Sequence, residues 1–410
     1  MAEQLNSQTP KIRFKGFEEE WVENPLGKIV HFLDERRKPL KAESRKAGSY
    51  PYYGASGIID YVEGYLFDER LLLLSEDGAN IIDRNYPICF IAEGKYWVNN
   101  HAHVLRPNVG FSDLFIRDSL ERLNFEQFNT GTAQPKLNQE VCRNISIKIT
   151  EPAEQTKIGN YFRELDQLIG LQQCKHVKLV TLKKAMLQKM FPQPSATTPK
   201  IRFKDFEGAW EKKTLGESTF NIASNSLSRA NLNYHSGLAK NVHYGDILIK
   251  YGEVLDVQND GVPFISDYAL ARKPLHPGLQ DGDVVMADAA EDETVGKCTE
   301  IQNVGDNLVL AGLHTIAMRP CNSFAPFYLG YYLNTKAFHN QLLRLMQGTK
   351  VLSISKTVIR ETIIYFPTDK SEQQKIGTYF RTLDELISKY AIQLQKLKQI
   401  KSACLEKMFV

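Results

Sequence analysis

Two stretches of the chain carry the same long apolar seam. From Ile376, positions spaced alternately four and three apart fall on Ile376, Phe380, Leu383, Ile387, Tyr390, Leu394, Leu397, Lys401, Cys404 and Met408, and nine of those ten are apolar or aromatic. The ladder Ile158, Phe162, Leu165, Ile169, Gln172, His176, Leu179, Lys183, Met186 and Met190 repeats the spacing with seven of ten. A 3.5-residue period sustained this far is the mark of coiled-coil helices. Each run predicts a rod about 57 Å long at 1.5 Å per residue, more than a helix needs to cover one domain. Thr150 is the expected N-cap of the first helix, with Pro152 in its first turn, and Ser371 with Gln374 forms the expected capping box of the second.

Elsewhere the period is shorter. "KIRFKGF" alternates Ile12 and Phe14 against Arg13 and Lys15, which predicts a strand. "RLLLLSEDGAN", "YPICFIAEGKYWV", "GDILIKYGEVL" and "GDVVMADAA" are short apolar runs bounded by Gly, Asp or Asn, and predict buried strands ending in turns. "DLFIRDSLERLNF" (113–125) and "PFYLGYYLNTKAFHNQLLRL" (326–345) read as helices. Strands and helices mixed in this way predict an α+β class for each globular part.

These patterns recur because the chain repeats itself, a feature that decides the fold. "PKIRFKGFEEEW" from Pro10 returns as "PKIRFKDFEGAW" from Pro199, an offset of 189. "HAHVLRP" (101–107) meets "HTIAMRP" (314–320) at 213, and "GTAQPKL" from Gly131 meets "GTKVLSI" from Gly348 at 217. "EQTKIGNYFRELDQLI" (154–169) meets "EQQKIGTYFRTLDELI" (372–387) at 218, with 12 of 16 positions identical, and both copies close on "KMF". The expected division is 1–150 globular, 151–191 helix, 192–198 linker, 199–367 globular and 368–410 helix. Two seams of equal length in one chain predict an antiparallel two-helix coiled coil joining two pseudo-repeated α/β domains, with an approximate internal two-fold. Each helix packing on its own domain is the alternative. The ends of the copies agree and the middles differ, as duplication for reading two different targets requires.

Charge changes the picture only locally. The totals, 51 Lys+Arg against 48 Asp+Glu, point to no partner, and 42% apolar residues suffices for real cores. Between Gln167 and Lys204 there is no acid and there are eight basic side chains, and from Leu386 onward five lysines face one acid. A polyanion along the spacer explains basic helices in a nearly neutral chain; a solvated face is the plainer account. Arg13, Lys15, Arg202 and Lys204 are candidates for phosphate contact or for a solvated strand face. The six cysteines form no C-x-x-C pair, the start "MAEQLNSQTP" lacks an apolar core, and no run reaches 18 apolar residues. A reduced cytoplasmic protein without export signal or membrane span is expected.

No catalytic constellation emerges. The chain lacks the Asp/Asn/Ser-Pro-Pro-aromatic loop that holds a target amine in amino-methyltransferases, and lacks a G-x-x-x-x-G-K-S/T phosphate loop. A nuclease-like set, Asp83 with Glu93 and Lys95, has a spacing that chance supplies in a charge-rich chain, as does Asp205 with Glu211 and Lys213. "HAH" has no third metal ligand at fixed spacing, so no metal is expected.

Two variable globular parts, each followed by a long helix opening "EQTKIG" or "EQQKIG" and closing "KMF", resemble the specificity subunit of type I DNA restriction–modification systems. The resemblance covers nearly the whole chain. It implies two target-recognition domains, each reading one half of an asymmetric bipartite site in double-stranded DNA, held apart by the antiparallel helices. It implies that catalysis belongs to partners: two adenine-N6 methyltransferase subunits docked on the helices, and restriction/translocase subunits. S-adenosylmethionine, ATP and Mg would then sit in those partners and none in this chain. Half-sites roughly 34–36 Å apart, one helical turn, suit a two-fold reader with a stiff spacer.

Base edges are read by Asn, Gln, Arg, Lys, Ser and Thr. The candidates are Asn99, Asn100, His101, His103, Gln134 and Lys136 in the first domain, and Lys250, His314, Thr315, Lys350, Ser353, Ser355 and Lys356 in the second. Turn capping or strand-end hydrogen bonding is the alternative for each. The cluster Tyr50, Tyr52, Tyr53, Tyr61 and Tyr65 is expected in the core. Two other functions stay open on the residues alone: a tandem coiled-coil scaffold that binds no DNA, and a single-chain nuclease built on Asp83, Glu93 and Lys95.

Overall fold

Both long helices form where the seam places them, at Pro152–Lys189 and Lys370–Lys407. The structure is a computed structural model that describes residues 9–194, 196–271, 278–321 and 324–410. The expected divisions also take in residues 1–8, with most of the polar opening segment, and Ser195 of the linker; these, 272–277 and 322–323 lie outside the described residues. The chain divides into two compact units. One comprises residues up to Gln173 together with Ile392–Val410, and the other Cys174–Ala391. Each unit therefore contains the first half of one long helix and the second half of the other.

The first unit centres on a four-stranded antiparallel sheet in the order Val30–Phe32, Ala102–Pro107, Leu71–Ser75, Cys89–Ala92. A second sheet orders Gly57–Val62, Ala47–Gly54, Lys95–Val98 and Phe67–Asp68, its middle pair parallel. A ribbon of Val22–Pro25 with Ser146–Ile149 closes the domain beside the long helix. The second unit keeps this frame. Its ribbon is Glu211–Thr214 with Ile363–Phe366, and its main sheet runs Thr219–Ile222, Thr315–Pro320, Val284–Ala287, Cys298–Gln302. It adds a parallel edge strand, Val254–Asp256, which lies in the stretch that the repeat offset marks as lengthened.

Within each unit the two helix segments pair antiparallel. In the first, Tyr161 meets Cys404 (Oη–Sγ 3.5 Å), and farther along Lys401 Nζ donates to Asp166 Oδ1 at 2.5 Å. In the second, Lys183 meets Asp384 at 2.6 Å and Lys175 lies over the Tyr390 ring. Ile158, Phe162, Ile376, Phe380 and Leu383 are buried, while Leu165, Ile169, Leu179, Ile387, Leu394 and Leu397 are half-buried. The seam is deepest where a globular domain covers it and shallower where two helices alone must do so.

The repeated motif residues each have a physical task. Glu154 is fully buried and accepts from Arg13 (2.7 and 2.8 Å), from the Trp21 indole N–H (3.2 Å) and from Thr150. Glu372 accepts from Arg202 at 2.7 Å twice, but the Trp210 indole finds no partner among the described residues. Gln155 accepts from Ser112 N and donates to Thr150 O, as Gln373 does with Ala325 N and Pro367 O. At Gly159 a Cβ would stand 2.6 Å from Leu114 Cβ, and at Gly377 2.5 Å from Pro326 O. The motif is thus a helix-docking device.

Several expectations are corrected. "KIRFKGF" and "KIRFKDF" are not strands; pairing begins only at Val22 and Glu211. Their alternation arises because Arg13 and Arg202 turn inward to Glu154 and Glu372 while Phe14 and Phe203 pack edge-on against Tyr161 and Tyr379. Those two arginines are therefore not free for phosphate. "GDILIKYGEVL" opens as a helix, Tyr244–Ile249, capped by His243 Nδ1 accepting from Gly245 N, before the strand Val254–Asp256. The 326–345 segment breaks into Tyr328–Leu333 and Lys336–Leu343, because Thr335 caps the second piece. Thr150 spends its hydroxyl on Glu154, and the Ser371–Gln374 capping box is absent; Asp369 accepts from Ser371 N at 2.7 Å instead, and Gln374 turns to Thr378.

Candidate nucleic-acid interface

In the first unit the strand Leu71–Ser75 runs out into Glu76 and Asp77, and two loops are stitched to that end. Glu76 N donates to His101 O (2.9 Å), Leu137 N to Glu76 O (2.7 Å) and Gly78 N to Pro135 O (3.0 Å). The "GT" loop is tight: a Cβ at Gly131 would lie 1.8 Å from Gln134 O, and Asn129 Oδ1 accepts from both Gly131 N and Lys136 N. Only glycine fits there, which explains its recurrence. Exposed Asn100 and Gln134, His101 beside Asp77 (2.8 Å) and Lys136 beside Glu76 (3.3 Å) share this end of the sheet.

Asn99 and His103 face inward. Asn99 Oδ1 accepts from His101 N at 2.8 Å and fixes the turn. His103 is buried between Asp34 Oδ2 (2.6 Å) and Leu137 O (2.8 Å). Burial opposes its charge, but the Asp34 hydrogen bond leads the opposing interactions, and the imidazole is raised to about 10. Arg37 joins the same network through Glu76 (2.6 Å) and Ala102 O (2.8 Å).

The second unit repeats the joints with other side chains. Asp288 N donates to His314 O (3.0 Å) and Ile354 N to Asp288 O (2.9 Å). His314, in the left-handed region at φ 53°, lies 3.3 Å from Asp288 and edge-on to Tyr244 at 5.3 Å. Exposed Lys350 and Ser353 belong to the matching "GT" loop, where Gly348 has φ 112°. Ser355 caps the turn Lys356–Ile359, leaving Lys356 exposed. Thr315 is buried, donating to Gly312 O, and Lys250 stands apart, donating to Gly261 O beneath Tyr234.

The structure thus gathers Asn100, His101, Gln134 and Lys136 in one unit and His314, Lys350 and Ser353 in the other, and it withdraws Asn99, His103 and Thr315 inside. Sequence reasoning missed Glu76, Asp77 and Asp288, whose only signal is an acid directly after an apolar strand. The tyrosine cluster splits: Tyr52 is core, Tyr61 and Tyr65 are exposed. Glu93 is held by Arg70 (2.9 Å) and Lys95 lies over Tyr65, so the nuclease-like set is not assembled. Among the described residues no group of three His, Cys, Asp or Glu could hold a metal, and no helix is long and apolar enough to cross a membrane. On the long helices, Leu168, Leu171, Ile392 and Ile400 in the first unit and Val177, Val180 and Leu182 in the second are exposed.

Residues 18–181 match the family model for the type I restriction modification DNA specificity domain. A Haemophilus influenzae protein named as a type I restriction enzyme specificity subunit is 37% identical over 157 residues, 38% of this chain and 39% of that protein. The MjaVIII type I restriction enzyme specificity subunit of Methanocaldococcus jannaschii is 22% identical across 94% of this chain and 90% of its own. The crystal structure of a type I restriction–modification S subunit from M. genitalium shares the fold, with TM-score 0.63 and 14% identity over 98% of this chain and 99% of that one.

Proposed function

We propose that this chain is a type I restriction–modification DNA specificity subunit, a non-catalytic reader of an asymmetric bipartite DNA sequence, a reading supported by the family match over residues 18–181 and by the shared fold. One observation carries the reading: two units built on the same strand joints present different polar side chains at the same sheet end. Asn100, His101, Gln134 and Lys136 would address one half-site, and His314, Lys350, Ser353 and Lys356 the other. The side chains are of the types that read base edges, and the flanking lysines suit phosphates.

The exposed apolar positions on the long helices, interleaved with Lys175, Lys178 and Lys184, suit docking of two modification subunits that bring S-adenosylmethionine. Restriction/translocase subunits with ATP and Mg would complete the complex, which would act in the cytoplasm where the chromosome is. The boundaries 1–150 and 199–367 define the two exchangeable readers in this proposal.

Base-resolution mapping of N6-methyladenine in the host genome, with and without the gene, tests it. Deletion is expected to erase one gapped asymmetric motif, and exchanging residues 10–150 for another reader to alter one half of it only. An unchanged methylome in cells expressing the system, or a swap that alters both halves, would refute the two-reader account.

A further inference from the structure

At the polar end of the first unit stands an apolar feature that base-edge hydrogen bonding does not use. The hairpin Ala47–Gly54/Gly57–Val62 turns there, with Tyr53 paired to Ile58 and Gly54 to Gly57, the latter in the left-handed region at φ 110°. Its turn is tied to the reading end at two points. Ser75 Oγ donates to Ala55 O (2.5 Å), and Asn99 N donates to Tyr53 O (3.0 Å). A Cβ at Gly54 would touch both Ile59 Cδ1 (3.1 Å) and Asn99 Nδ2 (3.3 Å), so Ile59 lies beside the residue that positions His101. Yet Ile58 and Ile59 are 46% and 50% exposed. Two adjacent β-branched residues left in water at a turn, where a polar pair would cost nothing, call for an occupant.

The second unit repeats the arrangement with a different element. Its matching joint is Gly312 N donating to Val242 O (2.9 Å), and the chain leaves it through the helix Tyr244–Ile249 rather than a hairpin. Tyr244 meets His314, and Ile249 at the helix end is 89% exposed, followed by Lys250. Each unit thus leaves isoleucine exposed on the element that adjoins this joint, a hairpin in one and a helix in the other. Lys38, exposed and joined through its N to Val98 O, and Lys136, exposed and paired with Glu76, bring lysines to the same end of the first unit. A strongly anionic surface bearing small apolar groups fits this setting. The DNA major groove is such a surface, and its one apolar base-edge group is the C5-methyl of thymine.

Resting on the DNA-reading role above, we infer that Ile58 and Ile59 are specificity-determining residues that read thymine methyl groups in the half-site of the first domain. The test uses the full chain with its modification subunits and a duplex carrying the methylome-defined target, with thymine replaced by uracil one position at a time. Uracil keeps each hydrogen-bonding group and lacks only the methyl. Wild-type complex is expected to bind roughly four-fold more weakly for each contacted methyl removed. Ile58→Ala/Ile59→Ala is expected to bind the thymine duplex that weakly and to lose nothing further on uracil, with the other half-site unaffected.

Equal binding of thymine and uracil duplexes by wild type, or a first half-site without thymine in either strand, overturns the inference and leaves the specificity role standing. So does a double variant that binds DNA normally but releases the modification subunits, since the hairpin is then a protein contact. A complex with no sequence preference at all removes the reading role and the inference together. The uracil arm needs no mutant, so a folding defect cannot mask the answer.

Discussion

The imidazole of His103 carries its proton inside the first unit, against Asp34 and Leu137 O. A folded-state value of about 10 against the usual 6.5 ties stability to pH in one direction. Protonated His103 stabilises the unit fully below pH about 6.5, and that contribution is lost as pH rises toward about 10. The linked energy is on the order of 5 kcal/mol. His103→Gln keeps donors for Asp34 or Leu137 O but cannot titrate. Thermal melts between pH 6 and 10 should show wild type above the variant at low pH and the two converging at high pH; parallel curves would show that the network is not charged. Because the same ring holds Leu137, a weakened network should also loosen the adjacent Lys136 loop.

At the scale of elements, the glycines of the long helices separate two demands that sequence alone mixes. Alanine is the better helix former by about 1 kcal/mol. Gly170 has open space around its missing Cβ, so Gly170→Ala is expected to stabilise by about that amount. Gly159 and Gly377 are where a helix meets the globular domain, at 2.6 Å from Leu114 Cβ and 2.5 Å from Pro326 O. Gly159→Ala and Gly377→Ala are expected to cost about 1–3 kcal/mol, because domain and helix must part to admit a methyl. Denaturant midpoints measure all three, and stabilisation at Gly159 would contradict the docking geometry. The helices were legible because their period persists for ten turns, and the repeat because sixteen residues of it agree closely. The loop at Arg13 was not, since an inward ion pair to Glu154, far along the chain, mimics strand alternation. Nor was the helix Tyr244–Ile249, since three apolar residues in a row, Ile247 to Ile249, carry no period. At the polar sheet end, the burial of Asn99, His103 and Thr315 was not legible, because it depends on loops from distant segments.

For the molecule as a whole, the first unit is completed by residues that come last. Phe409 packs 5.2 Å from Phe115, 5.8 Å from Phe162 and 6.0 Å from Trp21, ring to ring. In the second unit Phe191 does the same work against Phe380, Tyr328 and Tyr332. Phe409→Ala is expected to cost the first unit about 3–5 kcal/mol and leave the second nearly untouched, read as one early and one unshifted step in amide-exchange protection. Loss of protection in Val284–Ala287 would instead mean that the units do not melt separately. The order of synthesis gives this arrangement a temporal meaning. The ribosome delivers Cys174–Ala391, roughly 220 residues, in roughly 10–40 s. All that while the nascent domain begun first holds Trp21 and Phe115 without their closing ring. The domain begun second has Phe191 in hand before most of it is made, so the later half of the gene product can mature ahead of the earlier one.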